Sequence, residues 1–241
     1  MPVALAKNRC QDSLARLSQV LWIAVAPLAI LLAGCVTLKI EELRQAETDI
    51  AASEAVVVLA RRNGIGLQAG ETFTDCVSDT LATGNAPLRV VPERIFVDRL
   101  FPWFEPGTAP LKIEVMAQLL RRRNVAEKIA DSGVRYLVWI DGTTQSVDGG
   151  GGGLACAIGP GGGGCIGFLS WENHSSYEAS IWDLKHAQSA GLISAEASGN
   201  SYLPAFIIPI PLIARTQAAA CNGLARQLKE FLTEEQMLHT K

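Results

Sequence analysis

Val20 to Ala33 is a run of fourteen apolar residues, VLWIAVAPLAILLA, ending on Gly34 and Cys35; the charges before it are mainly basic, Lys7, Arg9 and Arg16 against Asp12. A helix needs roughly 20 apolar residues to cross the hydrocarbon core of a bilayer, so the run is short for a span, while it suits the apolar region of an export signal. Pro27 in mid-run further weakens an isolated helix. An exported chain sheds such a run. Residues 1–34 are therefore expected to take no part in the fold, and the remaining 207 to mature in an oxidising compartment.

The last four residues of that region, Leu32-Ala33-Gly34-Cys35, resemble the lipobox of bacterial lipoprotein precursors. Lipid is attached to a thiol, so the residue after the cleavage point must be Cys, and small residues before it let an extended chain enter a narrow peptidase cleft. The resemblance implies a signal peptide over 1–34 and a membrane anchor of diacylglyceryl and palmitate-type chains on Cys35. Two or three acyl chains hold firmly where one binds only marginally. Val36 rather than Asp follows the Cys, which in a double-membraned bacterium implies delivery to the outer membrane, facing the periplasm. The alternative is an uncleaved anchor made of the apolar run itself.

Removing three basic side chains and one acidic one moves the net charge from -3 to -5, which argues against nucleic acid as the partner. Six cysteines are present: Cys10 leaves with the signal, Cys35 takes the lipid, and Cys76, Cys156, Cys165 and Cys221 remain. An even number in an oxidising compartment suggests two disulfides, with three possible connectivities. Cys156 and Cys165 share one Gly-rich stretch. Cys76 and Cys221 each fall on the apolar stripe of an expected helix. In the chain-entropy picture the local bridge contributes about 3 kcal/mol and the long one about 5 kcal/mol, as upper values.

Residues 35–54 read as a polar tether of helical composition, residues 55–232 as one domain, and 233–241 as a tail. Ala55 to Ala60 is a continuous apolar run with three β-branched valines and predicts a buried strand. Thr72-Phe73-Thr74-Asp75 resembles a capping box, opening a helix whose face carries Phe73, Val77 and Leu81 and which ends near Gly84. A short strand over 88–91 and a short helix over 93–100 follow. Phe101-Pro102-Trp103-Phe104-Glu105-Pro106 is the densest aromatic cluster. It is expected to cap the core, with a recognition surface of Phe101, Trp103 and Phe104 as the sharper alternative. Helices are expected over 111–122 and 125–132, the first ending in Arg121-Arg122-Arg123, where a phosphate or headgroup site is the sharper alternative to a charge that simply suits the helix terminus.

Val134 to Ile140 predicts a central strand covered on both faces. Trp171 to Leu184 alternates, with Tyr177, Ala179 and Ile181 inward; 191–202 alternates too, with Ile193, Ala195 and Ala197 inward; and Lys185 to Ala190 connects the two. Leu203 to Ala214 holds three prolines and is expected to be a buried connection under the last helix, an exposed contact patch being the alternative. Arg215 to Leu232 is that helix, with Ala218, Cys221, Ala225, Leu228 and Leu232 along its stripe.

Between the strands lies a stretch from Asp148 to Gly167 dominated by glycine. Gly159, Gly161 and Gly164 meet a G-x-G-x-x-G pattern only because nearly everything there is glycine, and no helix follows to present its N-terminus to a phosphate. A flexible excursion closed by Cys156 and Cys165 is expected, lying over a partner or over the membrane. Gly164-Cys165-Ile166 is similar to the nucleophile motif of L,D-transpeptidases, but Gly163 and Gly167 break that pattern and no His lies upstream to act as base.

His174, His186 and His239 make no close metal-ligand pair, and neither a cofactor nor a metal is expected. The order of elements predicts an α/β (α+β) architecture, a single mixed sheet with helices packed on it and the Gly-rich excursion between two strands. That topology is similar to the small α/β domain of the curli secretion channel lipoprotein and to the amino-terminal domain of the Tol system's propeller protein. The expected function is non-catalytic: a membrane-anchored envelope lipoprotein that binds or assembles with envelope partners or with itself, through 101–106 or 149–167. The alternative is a periplasmic hydrolase or wall-modifying enzyme using His174, Glu172 and Asp183.

Overall fold

The computed structural model describes residues 36–61, 70–105, 107–147, 151–160, 162–209 and 211–238; the expected signal peptide, Cys35, Pro106, Gly161 and His239 lie outside them. The elements run β1 (Val36–Arg44), β2 (Ala55–Ala60), α1 (Glu71–Ala82), β3 (Val90–Val91), α2 (Glu93–Arg99), α3 (Ile113–Leu120), α4 (Arg123–Ser132), β4 (Val134–Val147), β5 (Gly152–Gly159), β6 (Gly162–Asp183), β7 (Gln188–Pro209) and α5 (Thr216–Leu238). The strands form one sheet in the order β1-β7-β6-β4-β2-β3, with β5 on β6 beyond the end of β4. β2 is parallel to β3 and β4, and the other pairs are antiparallel. The mixed α+β sheet expected from the order of patterns is the one observed.

Each face of the sheet has its own core. α1 and α5 cover the first, where Val56, Val58, Val138 and Ile140 meet Phe73, Val77, Leu224 and Leu228. The alternation of β6 and β7 sends Tyr177, Ala179, Ile181, Ile193, Ala195 and Ala197 into this layer, because successive side chains of a strand point to opposite faces. Phe73 and Tyr177 stack there with ring centroids 3.5 Å apart, a pairing worth about 0.5–1.5 kcal/mol beyond its buried area. The second face is covered by α2, α3 and α4, which bury Phe96, Met116, Val125 and Ile129 against Val57, Leu59, Leu137, Trp139 and Trp182. β2 and the first half of β4 are buried on both sides. Their apolar character is near-continuous for that reason.

Several elements differ from expectation. The stretch read as a tether is strand β1, which pairs with β7 from Val36↔Gly199 to Arg44↔Gly191. Leu38 and Ile40 point at α5, where Gly223 permits the approach: a Cβ there would stand 2.7 Å from the Leu38 side chain. Residues 36–44 thus belong to the sheet, and α5 runs to Leu238, within the stretch expected as a tail. The capping box is not made. Gly70 is the N-cap of α1, without a side-chain cap, and the Thr74 hydroxyl donates to the Glu71 carbonyl instead. Ala218 is exposed on α5, while Cys221, Ala225, Leu228 and Leu232 are buried as expected. Gly133, at φ 71°, ends α4 in the left-handed region, which glycine enters without steric cost.

Cys76 on α1 and Cys221 on α5 form a disulfide that closes 145 residues and ties the two helices of the first layer. We expect Cys76→Ala/Cys221→Ala to fold but to lose up to about 5 kcal/mol in a denaturant titration. An unchanged unfolding midpoint is the contrary outcome.

Candidate functional site

The second face of the sheet is only half covered. From the second half of β4 across β6 and β7 to β1 it carries cross-strand rows of polar residues: Asp141, Glu178, Ser194 and Glu41 in one, Thr143, Ser176, Glu196 and Lys39 in the next, then Gln145, His174, Ser198 and Thr37. His174 and Glu172 are exposed on this face. Asp183 stands at the far end of β6, opposite Tyr136 and Gln188, whereas His174 lies opposite Gln145 and Ser198. Nine residues along one strand is about 30 Å. The alternative catalytic set of His174, Glu172 and Asp183 is therefore not brought together.

Asp183 has a different task. Its carboxylate, 2% exposed, accepts from Arg135 at 2.9 and 3.0 Å and lies 2.7 Å from His186 Nδ1. It also accepts the backbone N–H groups of Lys185 and His186. Glu54 adds a second carboxylate 3.3 Å from Arg135. Burial pushes the Asp183 carboxyl up, but the hydrogen bonds from His186 and Arg135 outweigh it and hold the group below its ordinary value. The cluster pins the turn between β6 and β7 to the start of β4.

The aromatic cluster after α2 splits. Phe104 is buried edge-on to Phe96 at 5.0 Å, and Trp103 is half-buried beneath Lys128, whose Nζ lies 5.2 Å from the ring. Phe101 alone projects, 61% exposed. Of the three recognition candidates, two serve the core, as the inward reading anticipates. Arg121, Arg122 and Arg123 are exposed at the junction of α3 and α4, where Arg123 pairs with Glu127.

A cleft of about 870 Å³ opens at the C-terminal end of β2, with carboxylates of Glu71, Asp75, Asp79, Glu93 and Asp98 around a floor that includes Trp139. The Trp139 indole N–H is buried without a hydrogen-bond partner among the described residues. No group of three His, Cys, Asp or Glu side chains able to hold a metal occurs among the described residues.

The most distinctive surface is the Gly-rich stretch, which is ordered strand rather than flexible excursion. β4 and β5 lie end to end along one side of β6, and β7 lies along the other, so that 152–159, 162–171 and 201–209 form a three-stranded ribbon projecting past both helical layers. The stretch from 203, expected as a buried connection, is its third strand; the chain then turns back, with Tyr202 bridging Leu212. Every residue of β5 is exposed. Ile158 is 93% exposed, Ile166 64% and Phe168 45%. No Asp, Glu, Lys, Arg or His occurs from 149 to 171 or from 197 to 214. Cys156 and Cys165 face each other directly across β5 and β6 and are disulfide-bonded. Gly167, at φ 151°, allows close pairing, since a Cβ there would stand 2.1 Å from the Gly153 carbonyl oxygen.

Two short chains of polar side chains, each running from an exposed hydroxyl on β4 to buried groups, mark where the core stops and the ribbon starts. Ser146 donates to Asn173 at 2.7 Å, Asn173 to Ser201, and Ser175 meets Thr144 at 2.8 Å and Thr216 at 2.9 Å. These groups are satisfied by one another, which keeps their burial from costing the several kcal/mol of an unpaired polar group. A sequence signal for the ribbon does exist: Leu154, Cys156 and Ile158 alternate with Ala155, Ala157 and Gly159. Glycine content masked it.

No protein-family model matches the chain, and no curated protein does. Among solved structures it is similar to dodecamers of PelC from Paraburkholderia phytofirmans. A single-substitution form aligns at a TM-score of 0.33 with 13% identity over 83% of this chain and 98% of that one. A second PelC dodecamer aligns at 0.32 with 13% identity over 82% and 97%.

Asp183→Asn should cost about 3–5 kcal/mol by leaving Arg135 buried without its main counter-charge. The ionised carboxylate stabilises the fold above the unfolded aspartate value of about 3.9. Because its folded value is lowered, that contribution declines as pH falls below the unfolded value and is gone once pH passes below the folded one. Acid titrations followed by circular dichroism should lose this component in the Asn variant. A Gly167→Val chain should keep the melting temperature of the body yet fail to form Cys156–Cys165, which peptide mapping without reductant reads directly.

Proposed function

We propose that this chain is a lipid-anchored protein of the bacterial cell envelope, held by Cys35 and non-catalytic, which binds or assembles with other envelope components. The observation that carries the reading is the cysteine pairing. Cys76–Cys221 and Cys156–Cys165 account for all four thiols downstream of residue 35, so none of them is left to partner Cys35. Two structural disulfides suit an oxidising compartment, and a thiol set apart at the end of a short apolar run suits lipid attachment.

Two further observations support it. β1 begins at Val36, directly after the proposed anchor, and is built into the sheet, so the folded body sits against the membrane rather than on a tether. The polar rows on the half-covered face and the projecting Phe101 give such a body surfaces for a protein partner or a second copy, because exposed side chains on a rigid scaffold are suited to recognition. The same reading places the protein at the outer membrane, facing the periplasm, with Val36 at the sorting position.

The test is the mass of the mature N-terminus. Wild type should begin at Cys35 carrying diacylglyceryl and acyl groups, and Cys35→Ala should accumulate at precursor length. A wild-type chain that keeps residues 1–34, or begins at an unmodified residue, would overturn the anchor. Crosslinking in native membranes should yield a discrete adduct that Phe101→Ala or Glu196→Arg weakens; a monomer under every condition would overturn the assembly role.

A further inference from the structure

The ribbon and the start of β1 lie at the same end of the molecule. Val36, the first described residue, pairs with Gly199, which in turn faces Asn173. Trp171 and Ser201, the first row of the ribbon, are two residues further on. The chain preceding β1, which holds the apolar run and Cys35, therefore enters the fold beside the base of the ribbon. Along β6 the chemistry changes in order. His174 and Glu172 belong to the polar body; Trp171 follows, with Tyr202 and Phe168 close by, their rings 5.7 Å apart; beyond them come only uncharged residues, with Ile166 and Ile158 bare to solvent. Trp and Tyr favour the level of lipid headgroups, with apolar residues below and charges above.

We infer that the ribbon beyond Trp171 is a membrane-contacting element that dips into the lipid surface to which Cys35 is tied. The inference rests on the anchoring proposed above and adds a second, protein-borne point of attachment. The chain offers one acylated end and one uncharged apolar projection on the same side, so both reach the same lipid surface, and burial of apolar area there adds to binding. Both outer edges of the ribbon limit its depth. Among the described residues β5 pairs only with β6, and β7 beyond Gly199 pairs with β6 apart from the single bridge at Tyr202. Unpaired backbone N–H and C=O groups are tolerated where water and headgroups reach and are costly in hydrocarbon. The ribbon thus lies at the interface, Trp171 and Tyr202 at headgroup level and Ile158 and Ile166 against the upper acyl chains.

The test uses the full mature chain reconstituted into vesicles of phosphatidylethanolamine and phosphatidylglycerol that contain a phospholipid with a diazirine on its acyl chain. After illumination, lipid adducts are mapped by mass spectrometry. Adducts should concentrate on 151–171 over 190–200 by roughly tenfold or more, since a single large apolar side chain gains that much on leaving water, and Ile158→Asp/Phe168→Asp should lower ribbon adducts by a similar factor while the folded body is retained. Adducts spread evenly over both segments would overturn the assignment. So would chain-to-chain crosslinks through 151–171 in place of lipid adducts, which would make a second copy the occupant. The N-terminal mass of the same sample is read separately: an unmodified residue 35 with a lipid-labelled ribbon removes the anchor and leaves the ribbon's contact standing, and a lipidated Cys35 with an unlabelled ribbon does the reverse.

Discussion

Everything in this molecule depends on the pairing of β6 with β7, which continues from Asp183↔Gln188 at the turn to Cys165↔Ile207. Over its first half the strict alternation of side chains is used on one face, so that Tyr177, Ala179, Ile181, Ile193, Ala195 and Ala197 form the floor on which α1 and α5 rest. Over its second half, among the described residues, no apolar side chain enters either helix-covered core. A strand pair that outruns its helical layers must meet something else, or remain in water. The composition changes at that point, from charged residues to none.

Two devices hold the two halves together. At the turn, the buried pair of Arg135 and Asp183, joined from the solvent side by the exposed His186, ties β6 to β4 in register, and register matters because a slip of one residue would exchange every side chain between faces. At the base of the ribbon, Asn173 with Ser201 and Ser175 with Thr216 form two buried hydrogen-bonded pairs. Polar groups at the end of a core are costly unless paired. Here they close the apolar layer. The disulfides divide in the same way, Cys76–Cys221 within the helical layer and Cys156–Cys165 within the ribbon.

Much of the body was legible along the chain because its patterns are local. Apolar continuity at 55–60 and 134–140, the helix stop at Gly133 and the alternation of 171–184 all appear in the strands and helix expected of them. Misreadings arose where two local signals compete. Val36, Leu38 and Ile40 alternate as a strand should, but the charged residues of helical propensity that follow them, Glu41, Glu42 and Arg44, suggested a tether; the decisive factors are the free edge of β7 and the space that Gly223 leaves on α5. In the same manner, Leu154, Cys156 and Ile158 alternate within a stretch whose glycines speak for looseness. Pairing with β6 overrides that weak preference, since most β-propensity is packing against neighbours. For the aromatic cluster, sequence left two readings open, and the separation of buried Phe104 from projecting Phe101 depended on where Phe96 lay.

By itself, then, the sequence determined the chemistry available at each place: a thiol at the end of a short apolar run, four cysteines downstream of it, an alternating strand pair, and a stretch from 149 to 171 without Asp, Glu, Lys, Arg or His. Tertiary structure alone decided which of these meet. It joined Cys76 to Cys221 across 145 residues, set β1 on the sheet edge, and brought Val36 to the foot of the uncharged ribbon. The reason is physical: local propensity and periodicity act over a few residues, whereas strand order and helix placement follow from the summed burial of whole faces, to which distant segments contribute together.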